Sequence, residues 1–168
     1  VVVSGDLDEH RIAALKREGA PVDTFAVGTE LAACADAPTL GAVYKVVMDH
    51  ARGRGGAKFS SGKGTLAGVH QVWRTQDAAG RMAGDVIALE DETVKDAAPL
   101  LRPVLKGGRL VDALPTLAKT REHTAAQLAA LPDALRGLGQ ETFEAYAVRT
   151  TAAVDALTEA ARTQPGMG

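Results

Sequence analysis

The opening of the chain constrains its fold more than any other feature. A short β-branched run, Val1 to Val3, and a second apolar run, Thr24 to Val27, flank one helical stretch, and each ends in a glycine-bearing turn. Val1 to Val3 reads as a fully buried strand, because β-branched residues without polar alternation suit the centre of a parallel sheet. Ser4-Gly5-Asp6 ends that strand. Asp6 and Glu9 have capping-box spacing, with Asp6 as the expected N-cap, and Ile12 and Leu15 give the next segment an apolar stripe. Gly19 and Pro21 then stop the helix. Strand, loop, helix, strand, loop is the repeating unit of a parallel sheet or barrel, so the expected class is α/β. Two such strands cannot close a barrel and would expose bare edges and an apolar face. A chain that begins inside such a strand, without a methionine, reads as truncated, and made alone it is expected to be unstable or to aggregate.

The pattern changes near Asp36-Ala37-Pro38. Beyond it, strands are expected at Val43 to Met48, Lys58 to Ser60, Val69 to Arg74 and Asp85 to Leu89, with Val69, Gln71 and Trp73 sharing one face. Turns are expected at Arg52 to Gly56 and Ser61 to Gly64, giving antiparallel hairpins, with a further hairpin at Gly107-Gly108. The remainder reads as helical. Pro115 suits a first helical position, Leu117, Leu128 and Leu131 fall near one face, and Pro132 breaks the run. A last helix from Glu141 to Arg162 aligns Phe143, Tyr146, Ala147, Val154 and Leu157. The expected organisation is a βα unit of a parallel sheet or barrel over 1–40, a β-rich segment over 41–113 and a helical segment over 114–168.

Composition narrows the partners. The 168 residues are 46% hydrophobic and 24% charged, with a formal net charge of −2, as in a soluble globular protein. No basic face suggests nucleic acid and no polybasic tract suggests a membrane. Aromatic residues make up only 4%, which weakens any reading based on base stacking. The single Cys34 excludes an internal disulfide and a multi-cysteine zinc site, and fits a reducing cytoplasm. No apolar stretch approaches the ~20 residues that span a bilayer, and the N-terminus does not have the form of a signal peptide. The expected partner is a small molecule or another protein.

The two βα junctions carry the chemistry. At Ser4-Gly5-Asp6 a glycine permits close backbone approach, and the following helix N-terminus offers unpaired amides with a favourable dipole. Gly28-Thr29 repeats the device and adds a hydroxyl. Adjacent parallel strands ending this way suit a phosphate gripped between them, the arrangement often found after the last strands of (β/α) barrels. Ordinary tight turns have the same composition, so spacing alone leaves both readings open. Ser61-Gly62-Lys63-Gly64-Thr65 fails as a P-loop, since Ala57 stands where a glycine is needed and Gly64 where Ser or Thr is needed. A hairpin turn is the better reading, with Lys63 near a ligand only in a larger assembly. His10, His50, His70 and His123 lack metal-ligand spacing, although His70 lies in a strand beside Trp73 and Arg74. Cys34 has no histidine near it in sequence for a catalytic dyad.

The order of these motifs resembles the late barrel of the nicotinate phosphoribosyltransferases. The resemblance runs through Val1 to Glu9, Gly19-Ala20-Pro21-Val22-Asp23, Val27-Gly28-Thr29, Asp36-Ala37-Pro38 and Leu40 to Val47. It continues in Lys58-Phe59-Ser60, Gly62-Lys63, Gln71-Val72-Trp73-Arg74, Leu100 to Val104 and Leu114-Pro115, and weakens after about Thr120. It implies the C-terminal portion of a bacterial-type enzyme that joins nicotinate to phosphoribosyl pyrophosphate, with coupled ATP hydrolysis, in NAD biosynthesis. The implied fold is an irregular α/β barrel with a second domain built from both chain ends, in a cytoplasmic homodimer using ATP and Mg2+. It further implies that Ser4, Gly5, Gly28 and Thr29 hold the nucleotide 5′-phosphate, with Asp6 and Lys63 near the substrate. Gly5-Asp6, where members vary, and Ala26, where a glycine is common, depart from the family pattern. No histidine here matches the context of the family's phosphorylated histidine, so the catalytic residues are expected outside this chain. Two alternatives stand beside this reading: a non-catalytic phosphate-binding or partner subunit of a split phosphoribosyltransferase, and the related nicotinamide-using enzyme.

Overall fold

In the computed structural model, which describes residues 1–34, 38–39, 44–59, 64–136 and 145–163, the opening βα unit forms as the sequence predicts. Strands β1 (Val2–Ser4) and β2 (Thr24–Ala26) pair in parallel, with Val2 opposite Thr24 and Ser4 opposite Ala26. Helix α1 (Glu9–Arg17) connects them, and a short helix α2 (Thr29–Ala33) follows β2. Two expectations fail here. Asp6 is not the cap of α1: Asp8 is, its carboxylate accepting from the Arg11 backbone N–H at 2.6 Å. The reason is that Gly5 and Asp6 both have positive φ, 106° and 44°, so they form a left-handed turn that delays the helix by two residues. Nor is β1 buried. Val1 and Val2 are 68% and 69% exposed, because β2 is the only strand that pairs with it among the described residues.

A separate unit begins at Lys45. It opens with an antiparallel hairpin, β3 (Met48–Asp49) and β4 (Arg54–Gly55). Asp49 closes the intervening turn by accepting from the Arg52 backbone at 3.2 Å and from the Arg52 guanidinium at 2.7 Å. The expected strand from Val43 to Met48 therefore reduces to its last residue, and Val43 lies outside the described residues. Tyr44 to Val47 is not in a ladder; instead the Val47 carbonyl accepts from both Gly56 and Gly68, each at 2.8 Å. Arg54 and Gly55, read as turn, are strand. Lys58 and Phe59, read as strand, are not; Ser60 to Lys63 lie outside the described residues.

The centre of this unit is a four-stranded sheet in the order β10–β6–β5–β7, from β5 (His70–Gln76), β6 (Met82–Leu89), β7 (Ala97–Pro99) and β10 (Val148–Thr150). β5 is antiparallel to both β6 and β7, whereas β10 runs parallel to β6. On β6 the pattern is period two, with Met82, Gly84, Val86 and Ala88 buried, the alternation of a strand with one face packed. Beyond β7 come a hairpin, β8 (Leu105–Lys106) and β9 (Arg109–Leu110), and helix α3 (Leu117–Ala129). Gly107 and Gly108 turn that hairpin with φ of 56° and 75°, the double left-handed conformation expected of such a dipeptide. Pro115 precedes the α3 N-cap, Thr116, rather than occupying the first helical position.

The expected last helix is corrected most. Phe143 lies outside the described residues, Tyr146 and Ala147 are not helical, and 148–150 is β10; α4 covers only Ala152–Thr163. Apolar spacing allowed a longer helix, but Val148, Thr150 and Thr151 are β-branched and suit a strand. Thr151 also ends the strand as a cap: its hydroxyl donates to Glu92 at 2.7 Å and accepts from the Val154 N–H at 3.4 Å. Val154 is fully buried. Gly55 and Gly68 face the Leu157 side chain so closely that a Cβ at either would lie 3.0 Å or less from it. The molecule is thus α/β with mixed sheets.

Candidate phosphate-binding site

The register of β1 and β2 decides what the two junctions can do. Since Ser4 lies opposite Ala26, both strands end at one edge, and Ser4-Gly5 and Gly28-Thr29 leave it side by side. Their geometries differ. At the first, the Asp8 carboxylate already occupies an amide of α1, and the Arg11 guanidinium donates to the Asp6 carbonyl and lies 3.8 Å from the Asp8 carboxylate. At the second, Gly28 caps α2 without a side-chain hydrogen bond, and the first intrahelical bond runs from Ala32 to the Gly28 carbonyl. The amides of Thr29, Glu30 and Leu31 therefore have no protein acceptor among the described residues, which is the electrostatic setting of an anion site.

Both glycines look onto open space, with no heavy atom within 4 Å of a Cβ built on either. Gly5 needs its left-handed conformation; Gly28, with φ of −115°, does not. Ser4, Gly5, Asp6, Gly28 and Thr29 are all exposed. The structure thus brings Ser4, Gly5, Gly28 and Thr29 to one edge, with Asp6 in the turn beside them. Lys63 lies outside the described residues. Arg11 was not singled out from the sequence; its spacing of three from Asp8 was the available signal.

The second unit holds a polar constellation that sequence reasoning did not find. Arg74 on β5 grips Asp85 on β6 through two hydrogen bonds, Nε to Oδ1 at 2.8 Å and Nη2 to Oδ2 at 2.7 Å. Tyr146 adds its hydroxyl to Oδ1 at 3.0 Å, and its ring lies 5.9 Å from the guanidinium. Hydrogen bonding to Arg74 holds the Asp85 carboxyl below its usual range against the opposing effect of burial, and the Tyr146 hydroxyl is pushed up, first by burial. A carboxylate held ionised, with both oxygens committed, is a poor general base. This cluster is a clamp joining β5, β6 and the approach to β10. A cleft of about 370 Å³ beside it is lined by Arg74, Met82, His123, Gln127, Leu131 and Tyr146 among others, but Arg74 is already paired with Asp85.

The histidines do not converge. His10 is exposed beside Glu9, His50 lies in an exposed turn and His123 on the exposed surface of α3. His70 Nε2 donates to the Ala67 carbonyl at 3.0 Å, which gives it a structural role. Among the described residues no three His, Cys, Asp or Glu side chains are placed to hold a metal ion, so no metal-dependent step is assigned to them. Cys34 is exposed. No helix among the described residues is long and apolar enough to cross a membrane.

No protein-family model matches the chain, but individual proteins do. It is 40% identical over 149 residues to a nicotinate phosphoribosyltransferase of Mycobacterium tuberculosis, a match covering 88% of this chain and 31% of the relative. The Bacillus subtilis enzyme of the same name is 44% identical over 101 residues, and the human one 31% identical over 143. A crystal structure of human nicotinic acid phosphoribosyltransferase superposes with a TM-score of 0.69 at 25% identity, over 95% of this chain and 32% of that one. The chain thus spans about a third of the length of the relatives it matches. Sequence and backbone agree across nearly all of it, and the chain belongs to the nicotinate phosphoribosyltransferase family.

Proposed function

We propose that this chain is the C-terminal third of an enzyme that forms nicotinate mononucleotide from nicotinate and phosphoribosyl pyrophosphate, with coupled ATP hydrolysis, in NAD biosynthesis. Its part in the reaction is to hold the 5′-phosphate. The observation that carries this is the register of β1 and β2, which ends both strands together, with open space beside Gly5 and beside Gly28 at the two junctions that follow. Ser4 and Thr29 supply hydroxyls, Gly28 and the α2 amides supply backbone donors, and Gly5 allows the chain to turn clear of the ligand. A phosphate fixed there positions the ribose for attack at C1, and positioning supplies much of the catalysis in such chemistry.

Asp6 and Lys63 are the side chains of this chain set nearest to substrate in this reading. The remaining barrel strands, the residues that hold ATP and Mg2+, and the nicotinate contacts belong to the rest of the polypeptide. The complete enzyme works as a cytoplasmic homodimer.

The test is steady-state kinetics of the complete enzyme with Gly28→Phe and with a Ser4→Ala/Thr29→Ala double variant. Each is expected to raise KM for phosphoribosyl pyrophosphate about tenfold or more, the equivalent of roughly 1.4 kcal/mol of lost binding, and to leave KM for nicotinate unchanged. An unaltered donor KM in both would remove the phosphate assignment. Titration of nicotinate mononucleotide into the 168-residue chain separates the split-subunit reading: saturable binding lost in the double variant would favour it.

A further inference from the structure

Arg11 stands where a cation is least expected. Helix α1 begins at Glu9, so Arg11 is its third residue, a position where the helix dipole favours acids and a capping box places Glu or Gln. A cation there works against the helix that carries it. Its side chain is also 60% exposed, and an exposed ion pair adds little to global stability. The reason for Arg11 is therefore local.

Side chains on a helix tilt toward its N-terminus, and that of Arg11 runs back past the cap, Asp8, to donate from Nη1 to the Asp6 carbonyl. On the way its Nε lies 3.8 Å from Asp8 Oδ2, while the Arg11 backbone N–H donates to Asp8 Oδ1. One residue thus ties the cap with its backbone and the turn with its side chain. The turn has few other supports. Ser4 is fixed in β1 and Leu7 is buried, but between them Gly5 and Asp6 both have positive φ. An L-residue such as Asp6 adopts that conformation at a cost. No heavy atom lies within 4 Å of a Cβ built at Gly5, and Asp6 is exposed, so packing does not hold the pair. Among the described residues, Arg11 is the one side chain hydrogen-bonded to the Gly5-Asp6 backbone.

We propose that Arg11 is a positioning residue for the transferase reaction. By holding the Asp6 carbonyl it fixes the Gly5-Asp6 turn, and so presets the Ser4 hydroxyl and the Gly5 amide for the 5′-phosphate of phosphoribosyl pyrophosphate. This rests on the reading of Ser4, Gly5, Gly28 and Thr29 as a phosphate site. A preset turn loses less freedom when the ligand arrives, so the gain is in donor binding rather than in the chemical step.

The experiment compares Arg11→Met, which keeps an unbranched stem and removes the donors, with Arg11→Lys, which keeps a donor of similar reach, both in the complete enzyme. Arg11→Met is expected to raise KM for phosphoribosyl pyrophosphate about threefold to tenfold with kcat and KM for nicotinate unchanged, the pattern of lost uniform binding. Arg11→Lys is expected to recover most of that loss. Amide exchange across residues 5–7 should quicken in Arg11→Met. An unchanged donor KM in Arg11→Met would overturn the proposal. So would a raised KM with unchanged exchange at residues 5–7, which would make Arg11 a direct contact of the ligand. A ratio of variant to wild-type KM that collapses at high salt would do the same, because an exposed charge–charge contact is screened. The Ser4→Ala/Thr29→Ala double variant separates the two readings. If it raises the donor KM and Arg11→Met does not, the phosphate site stands without Arg11; if neither does, the site itself falls.

Discussion

The two units of this chain are made from similar local signals and differ in what supports them. In the first, β1 and β2 have the right residues, register and turns, yet Val1 and Val2 are exposed and no residue of α1 or α2 is buried. In the second, β6 lies between β5 and β10, and α4 seals the sheet with a fully buried Val154. Local propensity forms strands in both; the alternating burial of a whole strand face is seen on β6, which has neighbours on both sides and a helix against it. The first unit, whose turns are proposed to hold a phosphate, buries no residue of its helices, while in the second Arg74, Asp85 and Tyr146 are committed to one another.

Several measurements sharpen this contrast. The largest effect is expected at Val154, where Val154→Asp puts a carboxylate into a fully buried site. This should cost about 4 kcal/mol or more, read in the complete enzyme as faster hydrogen exchange across β5 and β6. Unchanged protection would mean that α4 does not hold the sheet. Next is Asp85→Asn, which leaves the Arg74 guanidinium without its countercharge and should cost about 3 kcal/mol at neutral pH. The sign with pH follows from the lowered Asp85 value. The wild-type contribution is complete above the ordinary carboxyl value of 3.8 and is lost as pH falls through the lower folded value. The variant should therefore differ from wild type at pH 7 and converge with it in strong acid; a constant gap would show that the clamp does not titrate as described.

Smaller effects are expected in the first unit. Asp8→Ala removes the α1 cap and should cost about 1 kcal/mol, visible as faster exchange of the first-turn amides. Equal exchange in the two proteins would argue that water caps α1 as well as Asp8 does. Smallest is Gly28→Val, whose side chain enters open space at an ordinary φ; stability should change by no more than about 0.5 kcal/mol while binding of phosphoribosyl pyrophosphate weakens. A large loss of stability there would make Gly28 a folding residue rather than part of a binding edge.

Much of this was legible from residue type and spacing. The parallel pair, the β5–β6 hairpin and the Gly107-Gly108 turn each have a local cause: β-branched runs, period-two alternation, and a dipeptide tolerant of positive φ. The shared edge of Ser4 and Gly28 followed from two strands that each end in a glycine. The failures arose where a longer-range partner decided the outcome. Val148 to Thr150 is strand because β6 offers an edge 63 residues earlier, Val148 pairing with Asp85, a fact absent from its own helical spacing. Asp8 displaced Asp6 as cap because a left-handed turn intervened. The Arg74–Asp85–Tyr146 clamp was invisible because its members lie 11 and 61 residues apart, and only the sheet registers bring them together.

The Val47 carbonyl, which receives both Gly56 and Gly68, has a mechanical consequence. One oxygen is the common pivot of two otherwise separate stretches of chain, the exit from the β3–β4 hairpin and the approach to β5. A displacement of either stretch is passed to the other through that atom, and from there to Leu157, against which Gly55 and Gly68 both lie. Strain entering this corner of the molecule is therefore shared between the hairpin and the approach to the sheet.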